Sequence, residues 1–181
     1  MNKKLSHSIY VLCFFLLFTA CTKDTDFGRT EEIKLSPVIE LNAIYFELPA
    51  TRFFDPINLN PILTVKDTTD IKFLDDSTLR KHLKRAEFYF KFTNSIPENF
   101  QVDFHFLSQT NDTTYVAGTS VFAGTTNTPV VTEYFQNLAG EDIPRLTQAN
   151  KVVVTVTIAS FNQNWEGTLN LKSKTTYFLE N

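Results

Sequence analysis

From Ile33 onward the chain alternates apolar and polar residues with the two-residue period of half-buried strands. The pattern is cleanest over Ala86–Thr93, where Ala86, Phe88, Phe90 and Phe92 share one face and Glu87, Tyr89, Lys91 and Thr93 the other. After the turn Asn94–Asn99 it resumes with Phe100, Val102, Phe104 and Phe106 opposite Gln101, Asp103 and His105. Val152, Val154, Val156 and Ile158 mark another strand, and Leu169, Leu171, Ser173, Thr175, Tyr177 and Leu179 line a long last one. Nearer the start, Ile39, Leu41 and Ala43 lie on one face, and Ile44, Phe46 and Leu48 continue with the parity moved by one. Such a shift inside one apolar run predicts a β-bulge. Arg52–Pro56 reads as a turn or edge segment. Ile62–Lys66 and Ile71–Leu74 read as a short hairpin around Asp67-Thr68-Thr69-Asp70. Thr110-Asn111-Asp112 is a turn before Tyr115–Ala117, and Val121–Phe122 and Val130–Phe135 flank the loop 124–129.

Two short helices interrupt the strands. Asp75 or Asp76 can cap the first, Ser77 and Thr78 open it, and Leu79 and Leu83 share a face. Arg80, Lys81, Lys84 and Arg85 complement the negative end of its dipole. The second is expected over 140–149, with Asp142 as cap, Pro144 in the first turn, and Ile143, Leu146 and Ala149 at three-residue spacing. Many short strands without alternating helices predict an all-β fold, an antiparallel β-sandwich of about eight strands with one or two short helices. A closed barrel is the alternative.

The N-terminal segment follows different rules. Lys3 and Lys4 precede an uncharged apolar run from Ile9 to Ala20, too short for a span of roughly 20 residues but suited to the apolar region of a secretory signal. The run ends in Leu17-Phe18-Thr19-Ala20-Cys21, which resembles a bacterial lipoprotein box. Phe18 stands where leucine is usual. The resemblance implies that residues 1–20 are removed and that Cys21 carries acyl chains; two chains anchor a protein stably. Residues 21–32 then read as a polar tether. Lys23, Asp24 and Asp26 resemble the surface-export signal of Bacteroidota lipoproteins, although any tether is polar. The expected organisation is a signal peptide over 1–20, a tether over 21–32 and a sandwich over 33–181. The expected location is the cell envelope, lipid-anchored at the outer membrane on its periplasmic or surface face.

Composition sharpens this picture. Loss of Lys3 and Lys4 with the signal moves the formal charge from −3 to −5. A mildly acidic domain has no electrostatic footprint for nucleic acid. Cys13 leaves with the signal and Cys21 is consumed by lipid, so no disulfide is available and stability rests on the core. The 18 phenylalanines and only 5 glycines make that core rich in rings.

Candidate chemistry is sparse. His82 and His105 remain after processing, 23 residues apart, and both read as surface histidines. Phosphate-cradling glycine loops and the common nucleophile and metal motifs are absent from the sequence, so no cofactor or metal ligand set is expected. Asp75-Asp76 and Asp67/Asp70 supply too few oxygens for calcium by themselves. Asp67-Thr68-Thr69, Asp76-Ser77-Thr78 and Asp112-Thr113-Thr114 resemble the O-glycosylation motif of Bacteroidota envelope proteins, at Thr68, Ser77 and Thr113; the same residues are ordinary in turns and caps. Three functions stay open. The first is a non-catalytic accessory module with an envelope protein as partner, held at the membrane through Cys21. The second is a glycan-binding lipoprotein with Trp165, Phe161, Tyr115 or Phe53–Phe54 as a stacking platform. The third is an enzyme whose carboxylate site is assembled only by the fold.

Overall fold

The structure, a computed structural model, describes residues 36–180. The signal segment, Cys21 and the tether lie outside the described residues. Ten strands run β1 (Val38–Pro49), β2 (Phe54–Asp55), β3 (Asn60–Pro61), β4 (Thr64–Asp70), β5 (Leu83–Asn94), β6 (Phe100–Leu107), β7 (Thr113–Val121), β8 (Val130–Ala139), β9 (Lys151–Thr157) and β10 (Thr168–Leu179). Two helices, α1 (Ser77–His82) and α2 (Asp142–Thr147), sit between them.

The strands form two four-stranded antiparallel sheets, ordered β1-β10-β5-β8 and β4-β9-β6-β7, and a two-stranded β2-β3 ribbon. Within the large sheets only β6 and β7 are consecutive neighbours. Every other link between their strands crosses from one sheet to the other, which is the jelly-roll wrapping of an eight-stranded sandwich. Among the described residues no ladder joins β1 to β4 or β7 to β8, so the fold is a sandwich and not a closed barrel.

The inward faces are those the alternation marks. Phe88, Phe90 and Phe92 of β5 meet Phe104 and Phe106 of β6, with Phe90 stacked on Phe104 at 4.1 Å and Phe88 tilted against Phe106 at 5.4 Å. Val152, Val154 and Val156, and alternate residues of β10 from Leu169 to Leu179, complete the core. The bulge falls where parity changes. Asn42 pairs with Lys174 and Tyr45 with Lys172, so β1 holds one extra residue. Ile44 is buried, while Leu41 and Ala43 are exposed.

Four expectations need correction. Asp67–Asp70 is not a turn; it lies inside β4, paired in register with Val154 to Lys151 of β9, and in place of a second hairpin strand over Ile71–Leu74 a 3-10 turn follows at Lys72–Asp75. Turn-type residues are tolerated there because β4 is an edge strand, and a ready partner strand overrides local propensity. The first helix is shorter than its cations suggest: Leu83 is its C-cap, and Lys84 and Arg85 already belong to β5. Its cap is Asp76, whose Oδ1 accepts the N–H groups of Thr78 and Leu79 at 2.7 and 3.2 Å. Asp142 does not cap α2. Glu141 holds that position in helical geometry without a side-chain bond, and Asp142 lies in the first turn, 3.5 Å from Arg145. Finally, Tyr115–Ala117 and Val121 belong to the single strand β7.

The two open sides of the sandwich differ. Between β7 and β8, Tyr134 Oη donates to Gln136 Oε1 and Gln136 Nε2 donates to Tyr115 Oη, both at 2.6 Å. Between β1 and β4 lie two clefts of about 190 and 240 Å³, floored by core residues such as Val154 and Phe106.

Candidate binding site

The link from β1 to β4 makes an excursion at one end of the sandwich. Pro49 closes β1, and Ala50–Phe53 forms a 3-10 turn whose Ala50 N–H donates to the Gly167 carbonyl at 3.0 Å. Phe53 turns inward, is fully buried, and packs on Phe100 at 5.5 Å. That removes Phe53 as a ligand-stacking ring. Phe54 points the other way and stays half-buried.

Phe54 stacks on Phe161 with centroids 5.5 Å apart and planes 6° from parallel. Trp165 meets Phe161 edge-on, 5.7 Å away at 72°. The Trp165 turn is closed by its N–H donating to the Asn162 carbonyl at 3.0 Å, and by the Asn164 N–H donating to Asn162 Oδ1 at 2.9 Å. The three rings, with Thr51, Pro56 and Gln163, line a recess of about 320 Å³. Thus the fold brings together three of the sequence candidates. It does not bring in Tyr115, which stays between β7 and β8, edge-on to Phe106. The ring arrangement is a stack capped by an edge, not a flat row. A sugar ring needs an open aromatic face, and the stack uses one face of Phe54 and one of Phe161.

Beside the recess stands an apolar tip between β2 and β3. Ile57 is 88% exposed and Leu59 73%. The turn is fastened by Asp55, whose Oδ1 accepts the N–H groups of Ile57 and Asn58 at 2.9 and 3.2 Å and whose Oδ2 accepts Asn58 Nδ2 at 2.6 Å. Those bonds, the Asn58 side chain foremost, hold the Asp55 carboxyl below its ordinary value. Leu59 takes a left-handed backbone, φ 56°, unusual for a side chain of its shape. The Ile62 N–H then donates to the Phe53 carbonyl at 2.9 Å and ties the ribbon to the domain. The sequence marked neither Ile57 nor Leu59. Isolated aliphatics between Pro56 and Pro61 have no period to show which way they face.

The other candidates are dispersed. Thr68 is exposed on the outward side of β4, Ser77 is exposed at the first position of α1, and Thr113 is exposed at the start of β7. His82 Nδ1 lies 3.1 Å from the Glu180 carbonyl, and His105 is half-buried on β6. Among the described residues no three His, Cys, Asp or Glu side chains gather as a metal site, and no helix is long and apolar enough to cross a membrane.

No protein-family model matches the chain. No curated protein matches it either. Solved structures to which the chain shows similarity include a secreted protein, so described by inference, from Parabacteroides distasonis, with 14% identity over 63% of this chain and 37% of that one, TM-score 0.48. They also include infectious bursal disease virus, with 8% identity over 81% and 32%, TM-score 0.43. A third is the enzymatically active domain of tailspike protein 4 of bacteriophage CBA120, with 10% identity over 80% and 19%, TM-score 0.42. The chain spans well under half the length of each.

Proposed function

We propose that this chain is a lipid-anchored envelope protein whose jelly-roll domain binds a protein partner and performs no catalysis. The exposed tip carries the reading. Two large aliphatic side chains are held out in water on a turn prefixed by Asp55, next to a half-buried aromatic recess. Presenting Ile57 and Leu59 costs solvation and, at Leu59, backbone strain. A preformed apolar knob is what a partner groove recovers on binding, at little further ordering cost. Anchoring through Cys21 would raise the effective concentration of neighbours in the same membrane plane. The extracytoplasmic setting rests on the resemblance of residues 1–21 to a lipoprotein signal.

The test places a photo-crosslinking residue at Ile57 in the full chain in cells, with a second at the remote Lys84. One reproducible partner captured from Ile57, absent from Lys84 and lost in Ile57→Asn/Leu59→Asn, supports the proposal. Capture unaffected by the double substitution, or no capture at all, overturns it. The anchor is read separately: Cys21→Ala releases or mislocalises the protein, whereas a variant processed and membrane-bound as before refutes the lipoprotein reading. A second reading is glycan binding in the recess of Trp165, Phe161 and Phe54, through the ring faces that the Phe54–Phe161 stack leaves unused. Retention of a polysaccharide that is lost in Trp165→Ala, without a protein partner, would favour it.

A further inference from the structure

Four strand edges are left open by the two large sheets, and three of them carry devices that discourage pairing. The β1 edge is broken by the bulge at 42–45. The β4 edge places the charge of Asp67 on its inward parity, opposite Val154, and adds Lys66 and Asp70. In β7 the register with β6 slips between Phe106–Tyr115 and Leu107–Thr113, leaving Thr114 over. Bulges and inward charges are the usual protections of a sheet edge.

The β8 edge has none of them. Its ten residues pair with β5 from Val130 to Ala139 without a slip. It contains no proline or glycine and one charge, Glu133. Among the described residues, no backbone–backbone bond from another segment reaches it on its free side; the Phe122 N–H meets only the inward Thr132 hydroxyl, at 3.4 Å. Its outward residues are Val131, Glu133, Phe135, Asn137 and Ala139. Phe135 is 69% exposed and lies 4.7 Å from the Tyr89 ring of β5.

We propose that β8 pairs with β8 of a second copy, antiparallel across a two-fold axis at Phe135. The strand is complementary to itself in that register. On the outward face Phe135 meets Phe135, Glu133 meets Asn137 and Val131 meets Ala139. On the inward face Tyr134 meets Gln136, and Thr132 meets Leu138. The alternative centred on Glu133 sets two carboxylates directly opposite and is disfavoured. Centring on Tyr134 puts Glu133 against Phe135 and loses the ring pair. Pairing at Phe135 extends two sheets into one of eight strands, with a row of rings Tyr89, Phe135, Phe135 and Tyr89 across the junction. The recess and tip lie elsewhere, so this contact is independent of the proposed partner site.

The register is directly testable in the full chain in detergent. Directly opposed residues have Cα atoms about 5 Å apart, within disulfide reach. Val131 would sit roughly 26 Å from its own copy, eight residues along the strand. Phe135→Cys should therefore form disulfide-linked dimer under mild oxidation well above the level of the parent chain, while Val131→Cys should not exceed it. Sedimentation of the unmodified chain across a concentration series should show a monomer–dimer equilibrium. Phe135→Lys, an exposed change, should abolish the dimer with an unchanged circular dichroism spectrum. A monomer at every concentration, equal crosslinking by both cysteine variants, or a dimer indifferent to Phe135→Lys overturns the proposal.

Discussion

The Ile44 N–H donates to Ser173 Oγ at 2.6 Å, across the point where β1 holds one residue more than β10. A bulge leaves a residue without its ladder partner, and here a buried side-chain oxygen on the next strand takes that role. The bond sits where parity changes, so it also fixes which way Phe46 and Leu48 face. Ser173→Ala is expected to leave a buried N–H unpaired and to cost about 1–3 kcal/mol. The change should appear as a lower urea midpoint at unchanged slope. Parent-like stability would mean that the bulge does not depend on this acceptor.

Gly124 is a second point of close approach. A Cβ there would fall on the Asn94 carbonyl oxygen and reach 2.8 Å from the Val130 nitrogen. Asn94 cannot yield easily: it is fully buried, donates to the Glu98 and Phe122 carbonyls, and accepts the Ile96 N–H. Gly140 has open space around it and only a positive φ of 58° to satisfy. Gly124→Ala should cost more than about 2 kcal/mol, and Gly140→Ala about 1 kcal/mol. Thermal melts of the two variants side by side check the ranking, and the reverse order would refute the account.

These two positions also show what could be read in advance. The bulge was legible because Ile39–Leu48 is long enough for a parity change to show. The inward faces of β5, β6, β9 and β10 were legible for the same reason. Asp67–Asp70 misled because Asp and Thr favour turns locally, and only the pairing with β9 decides otherwise. Phe53 was indistinguishable from Phe54 in sequence; one enters the core and one lines the recess. Trp165 stood out as a ring in a polar turn, but its approach to Phe54, more than a hundred positions away, comes from the crossing of the wrapped strands. Which strands become edges is also a property of topology, so the unprotected side of β8 had no sequence signature.

Neighbouring residues on β5 give a direct test of the alternation. Phe90 is fully buried, stacked on Phe104 and 5.9 Å from Tyr134, whereas Lys91 is exposed. Phe90→Asp buries an unpartnered carboxylate and should prevent folding. Lys91→Asp faces Glu133 on one side but relieves the like charge of Lys172 on the other, and should change stability by less than about 1 kcal/mol. Circular dichroism of both variants separates them: loss of the strand signal in the first alone is the expected result, and a folded Phe90→Asp would contradict the core assignment.

Alkaline pH should unfold this domain through its buried phenols. Burial pushes the Tyr177 hydroxyl far above its ordinary value of 10.0. Tyr177 is also stacked on Phe73 at 4.2 Å and is only 3% exposed, so an anionic ring there would be largely desolvated. Burial raises Tyr115 and Tyr134 as well, with the Asp142 charge adding to the effect at Tyr115. The sign follows from linkage. Below pH 10 these phenols are neutral in both states, and the contribution is fully present. Above pH 10 the unfolded chain loses protons that the folded chain keeps, so stability falls with rising pH toward the folded-state values. Each pH unit in that window removes up to about 1.4 kcal/mol through the buried Tyr177, and the half-buried Tyr115 and Tyr134 add in the same direction. Phenolate absorbance should therefore rise in two stages, the second coinciding with loss of the circular dichroism signal. Tyr177→Phe should move the unfolding to higher pH. Smooth ionisation of every tyrosine in a chain that stays folded would show that Tyr177 is not sealed in the core.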